Sequence, residues 1–408
     1  MLLSAYFGAM AVGLVIGLIQ ARWMAPAEMG RFAFCFTIIT IGGLFFELGV
    51  FPAGARALAL APDPETEQRI LGALIAATLV IAAAFALFIA AIAAPIDLIF
   101  GKDVRWLLIG TAALAFFQPF QALIEQSCQG LNRIRRLSVF QLLASGAYLV
   151  ILIGLVISSR LSAGSALGAW LAGIGFASVW LLVGMRPRFD AVPEYVKLVL
   201  GEARRYGLNL SVARITGVAS ARFDTLVIGY FLTDIAALGL YAFAQKVSAP
   251  IVSVSRALAI TRFRAFARLD RVPARVNLGN AAILLASAAA LVLAGPMILR
   301  FAFPKYADAA PLLLPFAALN LFAGLFQPYN MFLTSHGRGG DVRNIALAVV
   351  GAAIIGLVLT VPRFHILGAA WTGAGTMALD YALHLYYYQR FRRTLEETLN
   401  AGQSDKRD

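Results

Sequence analysis

FFQPFQ, residues 116–121, and LFQPYN, residues 325–330, are nearly the same phrase written twice in one chain. A shift of 209 residues lays Gln118-Pro119-Phe120 on Gln327-Pro328-Tyr329. The same shift lays Gly30, Phe32, Ala33 and Phe34 on Gly239, Tyr241, Ala242 and Phe243. Two distant anchors that obey one offset predict an internal duplication. A third echo, Leu167-Gly168-Ala169 with Leu367-Gly368-Ala369, needs a shift of 200 and hence a connection of different length between the copies.

A proline inside an apolar helical run removes a backbone donor, frees a carbonyl one turn earlier and bends the helix. Membrane helices accept this because neighbouring groups take up the freed carbonyl. The glutamine beside each proline offers its amide either to that backbone or to a polar ligand. Gln118 and Gln327 are therefore candidates both for ligand contact and for the packing of a bent helix.

The composition sets the solvent. Of 408 residues, 61% are apolar and 13% charged, with a mean hydropathy of +0.81. Soluble domains carry roughly a quarter charged residues, so most of this chain's surface belongs in lipid. Its apolar runs are about 20 residues long, the length of a membrane-crossing helix. Twelve are expected, near 2–21, 31–51, 70–94, 106–127, 138–158, 163–183, 206–230, 236–255, 276–298, 308–333, 344–361 and 366–388. Barrel strands would be about half as long and would alternate in polarity. Met1–Gln20 lacks a basic lead and reads as the first membrane helix rather than a cleaved signal.

Cys35 and Cys128 sit inside apolar runs, and His336, His365 and His384 are scattered, so neither a disulfide framework nor a metal cluster is written in the spacing. No phosphate-binding loop, nucleophile elbow or zinc-protease motif is present, and no cofactor is expected.

The net charge of +13 follows from topology. Lys and Arg gather in alternate loops, as in Arg133, Arg135 and Arg136, in Arg204 and Arg205, in Arg262, Arg264 and Arg268, and in Arg390, Arg392 and Arg393. The intervening loops hold fewer, among them Arg22, Arg31, Lys102 and Arg105. Short basic loops stay in the cytoplasm, which puts both termini there. The charge implies attraction to anionic lipids of the inner leaflet and gives no reason to invoke nucleic acid. Arg256–Arg275 reads either as an interfacial helix or as a charged connection that fixes topology.

With an even number of spans per copy, the copies enter the membrane in the same direction, as parallel repeats that can rock about a central cleft. The expected architecture is all-α and polytopic. It has an N-terminal six-helix lobe over 1–185, a cytoplasmic linker over 186–205, a C-terminal six-helix lobe over 206–389 and a cytoplasmic tail over 390–408.

Ionisable residues inside a span face protein or water, because lipid exposure costs several kcal/mol. Arg214, Arg222 and Asp224 lie in the seventh span, Lys246 in the eighth, Glu125 in the fourth, and Asp380 and His384, one helical turn apart, in the twelfth. Each reads as a structural ion pair or as a cleft contact. A cationic cleft selects an anionic cargo, and guanidinium forks match phosphate oxygens. On this basis Arg214, Arg222 and Lys246, with Gln118 and Gln327, are candidate substrate contacts. Asp224, Glu125, Asp380 and His384 are candidates for ion coupling or structural pairing.

Several phrases in order carry a resemblance: ARWMAPAEMGRFAF at 21–34, FGKD at 100–103, FFQPFQALIEQSCQGLNR at 116–133, RFDTLVIGYFLTDIAALGLYAFAQKVSAP at 222–250, FPKYADAAPLL at 303–313 and LFQPYNMFLTSHGR at 325–338. The chain resembles bacterial polysaccharide biosynthesis flippases, the polysaccharide transporter branch of the multidrug/oligosaccharidyl-lipid/polysaccharide exporter superfamily. The resemblance implies two pseudo-twofold-related six-helix lobes of the MATE/MurJ kind, without an enzymatic step. It implies transfer of a polyprenyl-pyrophosphate-linked oligosaccharide across the inner membrane, driven by a Na+ or H+ gradient or by flux. It also implies working alongside glycosyltransferases and a polymerase in cell-surface or exopolysaccharide synthesis. It puts the family's intramembrane aspartate at Asp224 and its basic position at Lys246. The chain departs from the pattern in its short polar lead and in lacking a Phe-Pro pair near Ala259–Arg262. The rival within the superfamily is an ion-coupled exporter of organic cations.

Overall fold

A computed structural model describes residues 2–207, 222–261, 269 and 271–404. Every regular element among the described residues is a helix, with no strand among them. The first helices are α1 (Leu2–Trp23), α2 (Pro26–Phe46), the short α3 (Val50–Ala59), α4 (Pro64–Phe100), α5 (Arg105–Ala115), α6 (Gln118–Gly130), α7 (Ile134–Ile157), α8 (Ala163–Met185) and α9 (Val192–Glu202). A π-helical turn, Ala203–Gly207, follows α9. Then come α10 (222–231), α11 (Ile235–Ser248), α12 (Pro250–Thr261), α13 (Ala274–Ala302), α14 (Ala310–Leu325), α15 (Gln327–Ser335) and α16 (Gly339–Ser404).

Eight of the described helical segments are long and apolar enough to cross a membrane, or nine if α5 and α6, bent by 43° at Phe116 and Phe117, form one broken span. Proline at position 119 supplies the break expected from the sequence. In the second copy, Pro304–Ser335 counts as one apolar span, although α14 and α15 part at Phe326. α16 is two helices joined at His365, whose φ of 54° and ψ of −141° are not helical. The chain doubles back there, and Thr360 and Thr372 share a hydroxyl hydrogen bond of 2.8 Å across the hairpin.

α4 overshoots its expected span. Its 37 residues measure about 55 Å, well beyond a hydrocarbon core of about 30 Å. The surplus is polar at the start, where Glu65, Glu67 and Arg69 precede the apolar run. Asp63 caps this helix by accepting from the Thr66 backbone N–H at 2.8 Å. That bond, joined by one from the Thr66 hydroxyl, holds the Asp63 carboxyl below its usual range.

The chain divides into two compact units, Met1–Gly239 and Leu240–Asp408. The first has its main apolar core at the end where the basic loops lie. Phe51 and Leu58 of α3 meet Leu71 and Leu74 of α4, Phe120 and Leu123 of α6, Phe140 of α7 and Leu181 of α8 there. Around that end, Arg69 bridges Glu65 at 2.8 Å and Asp190 at 2.9 Å, Arg188 meets Glu65 at 2.6 Å, and Arg133 meets Glu67 at 2.6 Å. These half-exposed pairs contribute individually little and jointly fix the start of α4 against two loops. The second unit buries Ile251, Leu284, Ala288 and Ala317 in one cluster and Val272, Phe332 and Tyr388 in another.

Candidate functional site

The polar groups that the sequence singles out fall into separate neighbourhoods, each lying inside one of the two units. In the first unit, α2 and the start of α11 cross where the duplicated glycines stand. A side chain on Gly30 would run into the Ile235 carbonyl, and one on Gly239 into the Pro26 carbonyl. Shifted by 209, Pro26 is Ile235 and Gly30 is Gly239. The contact is thus unchanged when the two copies are exchanged, the mark of a self-complementary two-fold contact. Backbones approach this closely only where side chains are absent.

Beside this crossing, Lys102 from the α4–α5 loop is 3% exposed. Its ammonium donates to the carbonyls of Leu232 and Thr233, the latter at 3.1 Å. These carbonyls directly follow α10, so the cation sits at the negative end of a helix. Burial pushes the Lys102 pKa below the ordinary lysine range, and Asp234 opposes that shift. Phe100, two residues earlier, packs edge-on against Phe34 of α2 at 5.0 Å and near Tyr230 of α10 at 6.2 Å. The sequence placed Lys102 among loop charges. The FGKD phrase was the signal, but the receiving carbonyls lie 130 residues away.

Arg222 lies on α10 with its guanidinium over the ring of Phe36, 5.0 Å from the centroid, and Phe36 in turn packs against Trp170 at 4.5 Å. Asp224 accepts from the Thr225 backbone N–H at 2.6 Å. Arg214 lies outside the described residues, as do residues 262–268 and 270 of the basic stretch Arg256–Arg275. Glu125 accepts from Gln121 at 2.9 Å, one turn away on α6. Gln118 lies flat against Gly43 of α2, and its Oε1 is buried with no hydrogen-bond partner among the described residues.

The second unit answers the glutamine-proline question differently. Pro328 lacks the N–H that the Gly324 carbonyl would otherwise accept. That carbonyl instead receives the Ser255 hydroxyl at 2.7 Å and the Asn280 amide at 3.1 Å. Gln327, 7% exposed, donates to the Ala323 carbonyl at 3.2 Å. Asn320, one turn before Gly324, reaches the Ser248 hydroxyl at 3.1 Å. Ser248, Ser255, Asn280 and Asn320 escaped the sequence reading because single amides and hydroxyls in an apolar helix leave no periodic trace.

Close by, Asp380 and His384 form a buried pair on the second half of α16, Nδ1 to Oδ1 at 2.8 Å. The His384 ring stacks on Phe326 at 5.0 Å, the residue at the α14–α15 break, and its Nε2 is buried with no hydrogen-bond partner among the described residues. Lys246 is half-buried on α11. Among the described residues, no group of three His, Cys, Asp or Glu side chains is placed to hold a metal ion.

The sequence profile of the polysaccharide biosynthesis protein family matches residues 1–255. The chain belongs to that family. No curated protein sequence matches it. Solved structures with the same fold include an inward-facing multidrug resistance MATE family transporter of the MOP superfamily, 16% identical, with a TM-score of 0.72 over 95% of this chain and 96% of that one. The lipid II flippase MurJ in an inward closed conformation is 14% identical, with a TM-score of 0.71 over 94% of this chain and 86% of that one. A MOP superfamily transporter from Pyrococcus furiosus is 15% identical, with a TM-score of 0.58 over 97% and 95%. This polysaccharide biosynthesis family member is therefore a multi-pass, all-helical membrane protein with the MATE/MurJ fold.

Proposed function

We propose that the protein is a flippase for a polyprenyl-pyrophosphate-linked oligosaccharide. It carries the glycan head from the cytoplasmic to the periplasmic leaflet of the bacterial inner membrane by alternating access. The observation that carries this reading is membership of a polysaccharide biosynthesis family by a chain built on a transporter fold. A polysaccharide family supplies a sugar cargo, and a polytopic fold without a hydrolytic motif supplies movement rather than bond chemistry.

In this reading the chain has twelve spans, six in each of the lobes 1–185 and 206–389, and both termini are cytoplasmic. The linker 186–205 and the tail 390–408 lie on the same side. Arg214, Arg222 and Lys246 meet the diphosphate, with Gln118 and Gln327 adding hydrogen bonds. Planar guanidiniums suit bidentate contact with phosphate oxygens. The Gln118 carbonyl, buried against Gly43 without a hydrogen-bond partner among the described residues, would have to turn away from α2 to accept from a sugar hydroxyl. Asp380 and His384 are a protonatable pair available for coupling to a proton gradient, and Asp224 and Glu125 are further coupling or pairing groups. A sodium gradient or cargo flux are the other drives. Glycosyltransferases supply the cargo and a polymerase consumes it.

The test is reconstitution into liposomes with a fluorescent lipid-linked glycan whose leaflet is read by a membrane-impermeant quencher. Protein-dependent transfer is expected. Transfer no faster than in empty liposomes, with folded protein and the cognate glycan, overturns the reading. Export of organic cations that is lost on charge reversal at Asp224 or Glu125 would assign the multidrug activity instead.

A further inference from the structure

We propose that the groove between α7 and α8 is a binding site for an anionic phospholipid. Its phosphate sits on Arg135 and Arg136, and one acyl chain lies along Trp180. The groove has a volume of about 670 Å³ and joins two arginines to an apolar wall of Val139, Val179, Trp180 and Val183. It shares Val179 and Trp180 with a second, apolar-lined groove that reaches Phe117 and Phe176. The same arginines also line a basic recess with Arg133. Along α8 the lining passes from a cationic mouth to an oily end, about 13 Å from Gly184 to Gly175.

The charge at the mouth is uncompensated. Arg133 is paired with Glu67 at 2.6 Å. Arg135 and Arg136 have no acidic partner among the described residues, and Arg136 Nη1 is buried with no hydrogen-bond partner there. A buried guanidinium nitrogen without an acceptor is costly. A phosphate brings acceptors in the geometry that a guanidinium fork prefers. An apolar trough beside the fork selects a phosphate that carries a chain over a free ion. Tryptophan at the rim suits the level of lipid headgroups. Topology alone accounts for arginines at the ends of α7 and α8, but not for their meeting an acyl-sized groove without a counter-charge.

The test uses the full chain in nanodiscs and reads no transport, so it stands apart from the flippase reading. Brominated phosphatidylglycerol and brominated phosphatidylcholine are compared as quenchers of tryptophan fluorescence. The difference between the wild type and Trp180→Phe isolates the signal of Trp180. Phosphatidylglycerol is expected to quench Trp180 at about 30-fold lower mole fraction, from about a factor of five per basic residue. Arg135→Gln with Arg136→Gln should equalise the two lipids while leaving the melting temperature in phosphatidylcholine unchanged. If that variant does not fold, raised salt on the wild type should shrink the preference in the same direction. Equal quenching by both lipids overturns the proposal, and so does a preference that survives neutralisation or high salt. Displacement of brominated phosphatidylglycerol by equimolar polyprenyl diphosphate, but not by excess unlabelled phosphatidylglycerol, would show a cargo site and overturn it as well.

Discussion

Gly30 and Gly239, one in each copy of the repeat, meet backbone to backbone. A Cβ on Gly30 would stand 3.1 Å from the Gly239 nitrogen, and one on Gly239 would stand 3.0 Å from the Gly30 nitrogen. Gly30→Val and Gly239→Val should each destabilise by about 1–3 kcal/mol, the range for forced overpacking. The double variant should lose less than the sum, because one separation relieves both clashes. Thermal melts of purified protein in detergent check this, and strict additivity would mean that the two sites are independent.

Lys102 bridges a loop to the end of α10. Lys102→Met keeps the volume and removes the donor, which leaves the Leu232 and Thr233 carbonyls without it. A loss of about 1–3 kcal/mol is expected, the cost of orphaning buried acceptors. Lys102→Ala should lose more, since the aliphatic stem also packs. A melting temperature for Lys102→Met equal to that of the wild type would remove the cap from the account.

The carbonyl freed by Pro328 gives a rescue experiment. Ser255→Ala with Asn280→Ala strips both donors from Gly324 and should cost about 1–3 kcal/mol. Pro328→Ala restores a backbone N–H one turn after Gly324 and should recover part of that loss in the double variant. In the wild type the same change should bring no such gain. Melting curves of the four proteins form the cycle, and an absence of rescue would show that the bend is held by other contacts.

Asp380 and His384 are buried together, and removing one partner strands the other. His384→Phe alone should cost about 1–3 kcal/mol by orphaning a buried hydrogen-bond partner, whereas His384→Phe with Asp380→Asn should cost less. Phenylalanine keeps the stack on Phe326. If the pair couples transport to protons, the double variant should stay folded and lose the dependence of flipping on a pH gradient. Unchanged gradient dependence would confine the pair to structure.

Arg222 offers a sharper probe of cargo binding. Arg222→Lys keeps the charge and loses both the planar fork and its fit over Phe36. Transport should fall about tenfold or more if a bidentate phosphate contact is lost, with melting temperature little changed. Full transport in Arg222→Lys would remove Arg222 from the proposed contacts.

How much of this was legible in the sequence depends on whether a feature shows in residue type. The glycine pair was visible as an anchor of the repeat, though not as a contact, and the two glutamine-proline pairs were visible because a bent membrane helix tolerates proline. The apolar runs gave the all-helical class for the same reason. The acceptors and donors around Gly324 were not visible, since Ser255 and Asn280 come from distant helices and nothing in their own segments marks them. Lys102 read as a loop charge because its partners lie far along the chain. Arg135 and Arg136 read as topology signals because the groove beside them is made by α8, which they do not adjoin in sequence.

The crossing of α2 with the start of α11 also bears on how such a chain arises. A surface that accepts its own repeat copy needs no co-evolved mate. A gene encoding a single copy would have carried a glycine-bared patch able to dock onto its twin, and fusing two such genes would have preserved the match on the day it happened. Later divergence was then constrained wherever backbone lies on backbone.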